Sequence, residues 1–522
     1  MRLTLAQVNP IVGDLDYNLE LIDRVWSDHD ATSDLIIFPE MVLTGYPPED
    51  LLHKPSFIED CQKKIEALLD RGTNRSSAIL IGAPVMQNGL LYNAALLIDG
   101  KTIHKPVTKH HLPNYGVFDE KRYFTAGSPH DPIDFRGTKL GVMVCEDMWF
   151  PNIAEHLKEN GAQILISLNG SPFETGKQST RLLQAKFRTA ETGLPLIYVN
   201  QVGGQDDLVF DGASFALNAQ GEVILTCKSF EEDIKSYLSG HLEPSSSSEE
   251  LIFKAASLGL KDYMRKTHQK KVLLGLSGGV DSALVAAIAV DALGSENVHT
   301  VMMPSDFTSQ ESLEDAKECA KRLGISYEIV AIKNMVETFT KDQPDTSGLA
   351  HENLQSRLRG LVLMTRSNMT GAMVLSTGNK SEMAMGYATL YGDMCGGYNP
   401  LKDIYKTQVY KICDWLNKTR GNLIPDNVLT KAPSAELRPN QKDQDSLPPY
   451  ETLDVILHCL IEQDLGIADT IKVGFDKSTV EKVARLLKIA QYKRNQSPPG
   501  PKITPRAFAR DRRYPIANGY KE

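Results

Sequence analysis

Three reactive side chains of different type stand at the ends of apolar, strand-like runs: Glu40 in IIFPE, Lys109 in VTKHHLPNYGVFDE and Cys145 in GVMVCEDMW. Strand ends in α/β folds project side chains into the ligand crevice. A thiol becomes a nucleophile once a base takes its proton, and a carboxylate can do this and later activate water. A cation stabilises both the thiolate and the oxyanion formed when it attacks a carbonyl. Glu, Lys and Cys are therefore a sufficient set for amide hydrolysis. Singly, each has a plainer reading, as a small buried hydrophobe, a surface lysine or a helix-start carboxylate. The expectation of chemistry rests on the combination.

A second candidate lies in LLGLSGGVDSALVAAIA, Leu273 to Ala289. The SGGVDS turn follows an apolar run and opens a helical pattern, so its backbone N–H groups and the helix N-terminus face whatever binds at the strand end, which makes an anion site. It is not a Walker A loop, because no G-K-[ST] follows. GLSGG also satisfies G-x-S-x-G, the nucleophile elbow of α/β-hydrolases, with Ser277 as nucleophile and His458 as a late histidine. Asp281 and Ser282, one turn into the helix, suit a metal and a phosphate oxygen better, and the first half of the chain already has its own nucleophile.

The elements that must hold these residues divide at HLEPSSSSEE, residues 241–250, which reads as a short solvated linker. Before it come the strand-like runs DLIIF, YNAALLI, KLGVMV, AQILISL and LPLIYV; after it KVLLGL, NVHTVMM, SYEIVAI and GAMVLST alternate with helical stretches such as SLEDAKECAKRL. That βαβα rhythm predicts a doubly wound parallel sheet in residues 251–522, and both halves read as α/β. At 522 residues two cores are expected. With 41% hydrophobic and 24% charged residues and no apolar run long enough to cross a bilayer, the chain reads as a cytoplasmic globular protein without a membrane partner. Seven cysteines without C-x-x-C pairs read as free thiols, and a net charge of −9 argues against nucleic-acid binding. The end of the chain departs from this: from Lys493 to Arg513, seven Lys or Arg and four Pro stand against one Asp. That stretch reads as a solvated terminal arm or as a flap over phosphates.

The Glu-Lys-Cys set resembles the nitrilase superfamily, which implies an αββα sandwich over residues 1–240. LPNYGVFDEKRYF more particularly resembles the glutaminase domain of glutamine-dependent NAD synthetases, implying that Tyr115, Ser171 and Lys177 hold glutamine and that Glu120 orients the catalytic trio. SGGVDS is similar to the pyrophosphate-binding loop of the ATP pyrophosphatase family. ENLQSRLRG, STGNKSEMAMGYATLYGDMCGGYNPLKDIYKT and PSAELRPNQKDQDSLPPY resemble its NAD synthetase branch.

This second resemblance implies ATP on Gly275, Leu276, Ser277, Gly278, Gly279, Val280, Asp281, Ser282, Thr377, Lys402 and Ser434. It implies deamido-NAD on Asn353, Arg357, Glu382 and Lys493, Mg²⁺ on Asp281 and Glu382, and Arg438 closing with Ser434 over the nucleotide. Because the chain is acidic overall, Arg357, Arg359, Lys380, Lys402, Lys406 and the basic tail are expected to localise the positive charge these anions need. His351 and Cys395 are the small departures from the family pattern.

Together these imply an ATP- and Mg²⁺-dependent ligase without a prosthetic group. It amidates deamido-NAD to NAD through an adenylate with ammonia from glutamine, releasing AMP, pyrophosphate and glutamate. Homo-oligomerisation is implied by the resemblance alone. The rival readings are another amidotransferase of the same loop family, such as a GMP synthetase, a serine esterase using Ser277, and a non-catalytic nucleotide sensor.

Overall fold

Runs such as Ile164–Asn169 and Leu196–Asn200 are buried along their whole length, which requires cover on both faces of their sheet. In the computed structural model, which describes residues 1–520, that cover is a second sheet on one side and helices on the other. The chain divides into two compact units, Met1–Ser245 and the remainder from Ser246.

In the first unit one sheet runs in the order Asp233–Ser236, Leu3–Gln7, Leu35–Ile37, Ala78–Gln87, Leu90–Asp99 and Thr102–Ile103, with Val107–Thr108 also paired to Leu90–Asp99. The other runs Val223–Thr226, Phe215–Leu217, Leu196–Asn200, Ile164–Asn169, Thr138–Val144 and Ile133–Phe135. Alternate residues of the two sheets face each other: Leu5, Ile37, Leu80 and Leu97 share one buried cluster with Val142, Ile166, Leu168 and Val199. The opposite faces carry helices. Leu15–His29 and Pro55–Gly72 cover the first sheet, and Pro151–Glu159 and Lys177–Thr192 cover the second. The result is the expected αββα sandwich.

In the second unit Ser326–Ile329, Val298–Met302, Val272–Gly275 and Met373–Leu375 pair in that order, all parallel. Chain order reverses at Val272–Gly275, so a crevice opens beyond its carboxyl end, where open α/β sheets bind ligands. The helix that leaves this point, Val280–Leu293, is buried at most of its positions.

Residues 241–250 are exposed or half-buried throughout and contain the boundary between the units; the His241 carbonyl accepts the Thr226 N–H at 2.9 Å and Glu243 pairs with Lys235. Ser247 then caps the helix Ser248–Lys266, its hydroxyl accepting the Glu250 N–H at 3.2 Å. One expectation is corrected: the basic, proline-rich stretch is not a free arm. The N–H groups of Ile503 and Thr504 donate to Asp403 at 2.7 Å, and buried Lys502 pairs with Asp511 at 3.0 Å. Prolines remove donors that an extended buried segment would otherwise have to satisfy, and local charge counts do not reveal this. Among the described residues, no helix is long and apolar enough to cross a membrane.

Candidate active sites

Glu40 stands three residues beyond Leu35–Ile37 with no exposed surface. Its Oε1 accepts Lys109 Nζ and Asn93 Nδ2, each at 2.7 Å, and its Oε2 accepts the Gly170 N–H at 2.8 Å. Lys109, buried just past Val107–Thr108, also donates to Glu120 at 2.9 Å. Burial opposes its charge, but the Glu120 and Glu40 carboxylates hold it well above the ordinary lysine range. Close approach here depends on a glycine: a Cβ at Gly82 would stand 2.1 Å from the Met41 nitrogen.

Cys145 directly follows Thr138–Val144 and opens a single turn, Cys145–Trp149, with φ at +47°. For a residue with a Cβ this costs about 1–2 kcal/mol, and strain of this kind concentrates at functional positions. Burial and the Glu40 charge push its thiol well above the usual range while Lys109 pulls the other way. The resting side chain is a thiol that needs a base.

The other expected glutamine residues fall in two groups. The Tyr115 hydroxyl donates to both oxygens of Glu146, at 2.9 and 3.0 Å, and Lys177 lies 5.0 Å from the Trp149 ring centre. Both therefore frame the turn that carries Cys145. Ser171 is buried behind this: its Oγ accepts Arg181 Nε at 3.1 Å and its carbonyl accepts Arg181 Nη2 at 2.9 Å. Glu120, expected to orient the catalytic trio, gives its carboxylate to Lys109 and to the Tyr46 hydroxyl at 2.9 Å. It orients the lysine, and burial pushes its carboxyl up to about 7. Sequence reading missed Glu146, Asn93 and Arg181; only adjacency to Cys145 marked the first.

In the second unit a cavity of about 300 Å³ opens at the strand-order reversal. Of the residues expected to bind ATP, Gly275, Leu276, Ser277, Gly279, Val280, Asp281, Ser282, Thr377 and Ser434 line it, as does Glu382. Gly278 lies behind the lining with φ at +78°, where a Cβ would stand 2.4 Å from the Ser312 carbonyl oxygen. Asp281 accepts Asn379 Nδ2 at 2.9 Å and pairs with Lys406, which is 3.5 Å from Glu382. Burial and the Asp281 charge raise Glu382 to about 8. Arg359 also lines the cavity, its guanidinium lowered to about 10 by burial and thus still charged, as does Lys431, which sequence reading missed.

Other basic residues serve different ends. Lys380 is fully buried against Asp403 at 2.8 Å, Glu462 at 2.5 Å and Thr504 Oγ1 at 2.6 Å, so its charge is neutralised inside the unit and is not offered to a substrate. Lys402 is outside the cavity lining, and a Cβ at Gly500 would stand 2.8 Å from its Cβ. Of the lysines expected to supply positive charge, Lys406 is the one that lines the cavity.

Asn353, Arg357 and Lys493 lie outside the lining too, yet they converge on one segment. Asn353 accepts the Thr389 hydroxyl at 2.9 Å, Arg357 Nε donates to the Leu390 carbonyl at 3.3 Å, and Lys493 donates to the carbonyls of Gly386 and Ala388 at 2.8 and 2.6 Å. Tyr387 and Ala388 of that segment do line the cavity. Arg438 is half exposed, 3.2 Å from Asp445. His351 contacts Phe307 and Gln355, while Cys395 lines the cavity.

An esterase triad does not form. The Ser277 hydroxyl is 3.1 Å from Ser282 Oγ and accepts the Gly279 N–H at 3.2 Å, whereas His458 faces Glu462 at 3.5 Å. The left-handed backbone that marks a nucleophile elbow is at Cys145 and not at Ser277.

A carbon-nitrogen hydrolase family model matches residues 2–241, and an NAD synthase model matches residues 252–497. Fold and sites thus define a ligase that joins a thiol-amidase unit to a nucleotide-binding synthase unit. Over its full length the chain is 47% identical to the glutamine-dependent NAD(+) synthetase of Rhodobacter capsulatus, covering 99% of that protein, and 43% identical to that of Acinetobacter baylyi, again covering 99%. The solved structure of the Acinetobacter baumannii glutamine-dependent NAD(+) synthetase in complex with ADP is 41% identical, with a TM-score of 0.80 over 100% of this chain and 99% of that one. The chain belongs to the glutamine-dependent NAD(+) synthetases.

Proposed function

We propose that residues 1–240 hydrolyse glutamine at Cys145 and that the remainder uses the ammonia to convert deamido-NAD to NAD at the expense of ATP. The observation that carries the reading is the Lys109–Glu40 contact of 2.7 Å beside a strained cysteine at a strand end. Glu40 takes the thiol proton as sulfur attacks the glutamine carboxamide. Lys109, held by Glu120, stabilises the oxyanion. Glu40 passes the proton to the departing ammonia, then activates the water that opens the glutamyl thioester to glutamate. Tyr115, Lys177 and Glu146 hold the substrate's amino acid end, and Ser171 shapes the pocket wall.

In the second unit the 276–279 turn and the N-terminus of Val280–Leu293 receive the phosphates. Lys406 and Arg359 supply positive charge, with Thr377 and Ser434 on the nucleotide. The nicotinate carboxylate attacks the α-phosphate, pyrophosphate leaves into the turn, and ammonia displaces AMP from the adenylate. Asn353, Arg357 and Lys493 act through the 386–390 segment to place deamido-NAD. Asp281 and Glu382 fit a Mg²⁺ delivered with ATP, since one or two carboxylates plus phosphates suffice for this cation. When bound it neutralises charge on the phosphates. The test is exchange of labelled pyrophosphate into ATP: the proposal expects exchange only with deamido-NAD present, and exchange with GMP precursors or without any acceptor contradicts it.

A further inference from the structure

Asp147 lies two residues past Cys145 and has no exposed surface. Its Oδ1 accepts the backbone N–H of His110 at 3.1 Å and of His111 at 2.8 Å, and its Oδ2 accepts that of Val144 at 3.2 Å. His110 directly follows Lys109, and Val144 directly precedes Cys145. One carboxylate therefore grips the two segments that carry the ammonium and the thiol. These segments leave different sheets, Val107–Thr108 from one and Thr138–Val144 from the other. Their relative placement depends on contacts of this kind and not on a shared strand ladder.

We infer that Asp147 is a positioning residue of the glutamine-hydrolysing site, setting the Cys145 turn against the Lys109 segment. The inference rests on the reading of Cys145 given above. Hydrogen bonds from N–H groups to a carboxylate are about twice as strong as neutral ones, and three converge here. Burial raises the Asp147 carboxyl to about 6, with the His111 N–H and the Lys109 charge opposing that rise. A left-handed cysteine persists only where its surroundings over-determine it, and the Val144 N–H bond lies immediately before the strained residue. The side chains add to the grip: the His111 ring stacks on Phe150 at 4.2 Å and its Nε2 is 2.9 Å from Asn152 Oδ1.

Asp147→Asn keeps the volume but turns an amide donor toward one of the N–H groups, and Asp147→Ala removes the grip. The full chain is assayed for NAD formation with glutamine and with ammonium, for alkylation of Cys145 by iodoacetamide, and for melting temperature. Expected for Asp147→Asn is a fall in glutamine-supported kcat on the order of tenfold to a hundredfold, with KM for glutamine held within about twofold. Cys145 alkylation slows and the ammonium-supported rate is retained. A wild-type kcat overturns the inference. So does a raised KM at constant kcat, and so does a parallel fall of both rates that follows lost folded protein. If Asp147→Ala does not fold, Asp147→Asn decides alone. Cys145→Ala is run alongside: glutamine use surviving there overturns the site reading itself, a result distinct from an unaffected Asp147→Asn.

Discussion

Lys406 is paired with Asp281 across 125 positions of sequence, and the same ammonium lies 3.5 Å from Glu382. The two carboxylates that would share a Mg²⁺ thus share a lysine, and Glu382 still rises to about 8. A carboxyl ligates a cation only after losing its proton, so binding of Mg²⁺ with nucleotide releases protons near neutral pH and tightens as pH rises toward 8. Calorimetry in buffers of different ionisation enthalpy measures the release, and Glu382→Gln abolishes it. The same shift has a stability sign. A folded carboxyl raised above its unfolded value favours the native state at acid pH, and that contribution is lost as pH climbs through the folded value. Wild type therefore loses melting temperature relative to Glu382→Gln between about pH 5 and 8.

Gly278 holds φ at +78° with its Cα facing the Ser312 carbonyl. Gly278→Ala places a methyl 2.4 Å from that oxygen and adds a left-handed penalty of about 1–2 kcal/mol. The expected outcome is loss of ATP binding and of NAD formation from either nitrogen source, with glutaminase activity preserved. Retained nucleotide binding contradicts the assignment of this turn.

Much of this arrangement is legible in the sequence because it is local. VLLGL, NVHTVMM, SYEIVAI and GAMVLST each became a strand of the parallel sheet, and a Ser/Gly turn between strand and helix has few structural alternatives. What depends on distant partners was not. Lys380, Lys402 and Lys406 are the same letter in one stretch, yet Lys380 is neutralised by Asp403 and Glu462 while donating to the Thr504 hydroxyl, and only Lys406 meets Asp281. The proline-rich end looks solvated by composition and is buried because Asp403 and Asp511 receive it. In the first unit Asn93, on the strand Leu90–Asp99, reaches Glu40 through sheet geometry that no spacing records.

Arg181 is buried with its guanidinium on both Asp211 oxygens, at 2.9 and 2.8 Å, and on the carbonyls of Ser171 and Pro172. Removing one member of a buried ion pair costs about 3–5 kcal/mol. Arg181→Ala therefore lowers the melting temperature and, by loosening the Ser171 segment, raises KM for glutamine. Arg181→Lys keeps the charge but not the fork and rescues only part of the loss. An unchanged melting temperature contradicts this account.

A nucleophilic Ser277 would be labelled by fluorophosphonates. Since its hydroxyl meets Ser282 and the Gly279 N–H and no histidine, the expected result is an unlabelled chain by intact-mass measurement, and stoichiometric labelling at Ser277 restores the esterase reading.

The central claim is that two sites divide the labour, and it is tested most directly by NAD formation from deamido-NAD, ATP and Mg²⁺ in wild type and Cys145→Ala, with glutamine or ammonium as nitrogen source. The account predicts that wild type uses both and that Cys145→Ala keeps its ammonium-supported rate while losing glutamine-supported turnover by a factor on the order of 10³ or more. Glutamine-supported NAD formation undiminished in Cys145→Ala contradicts it.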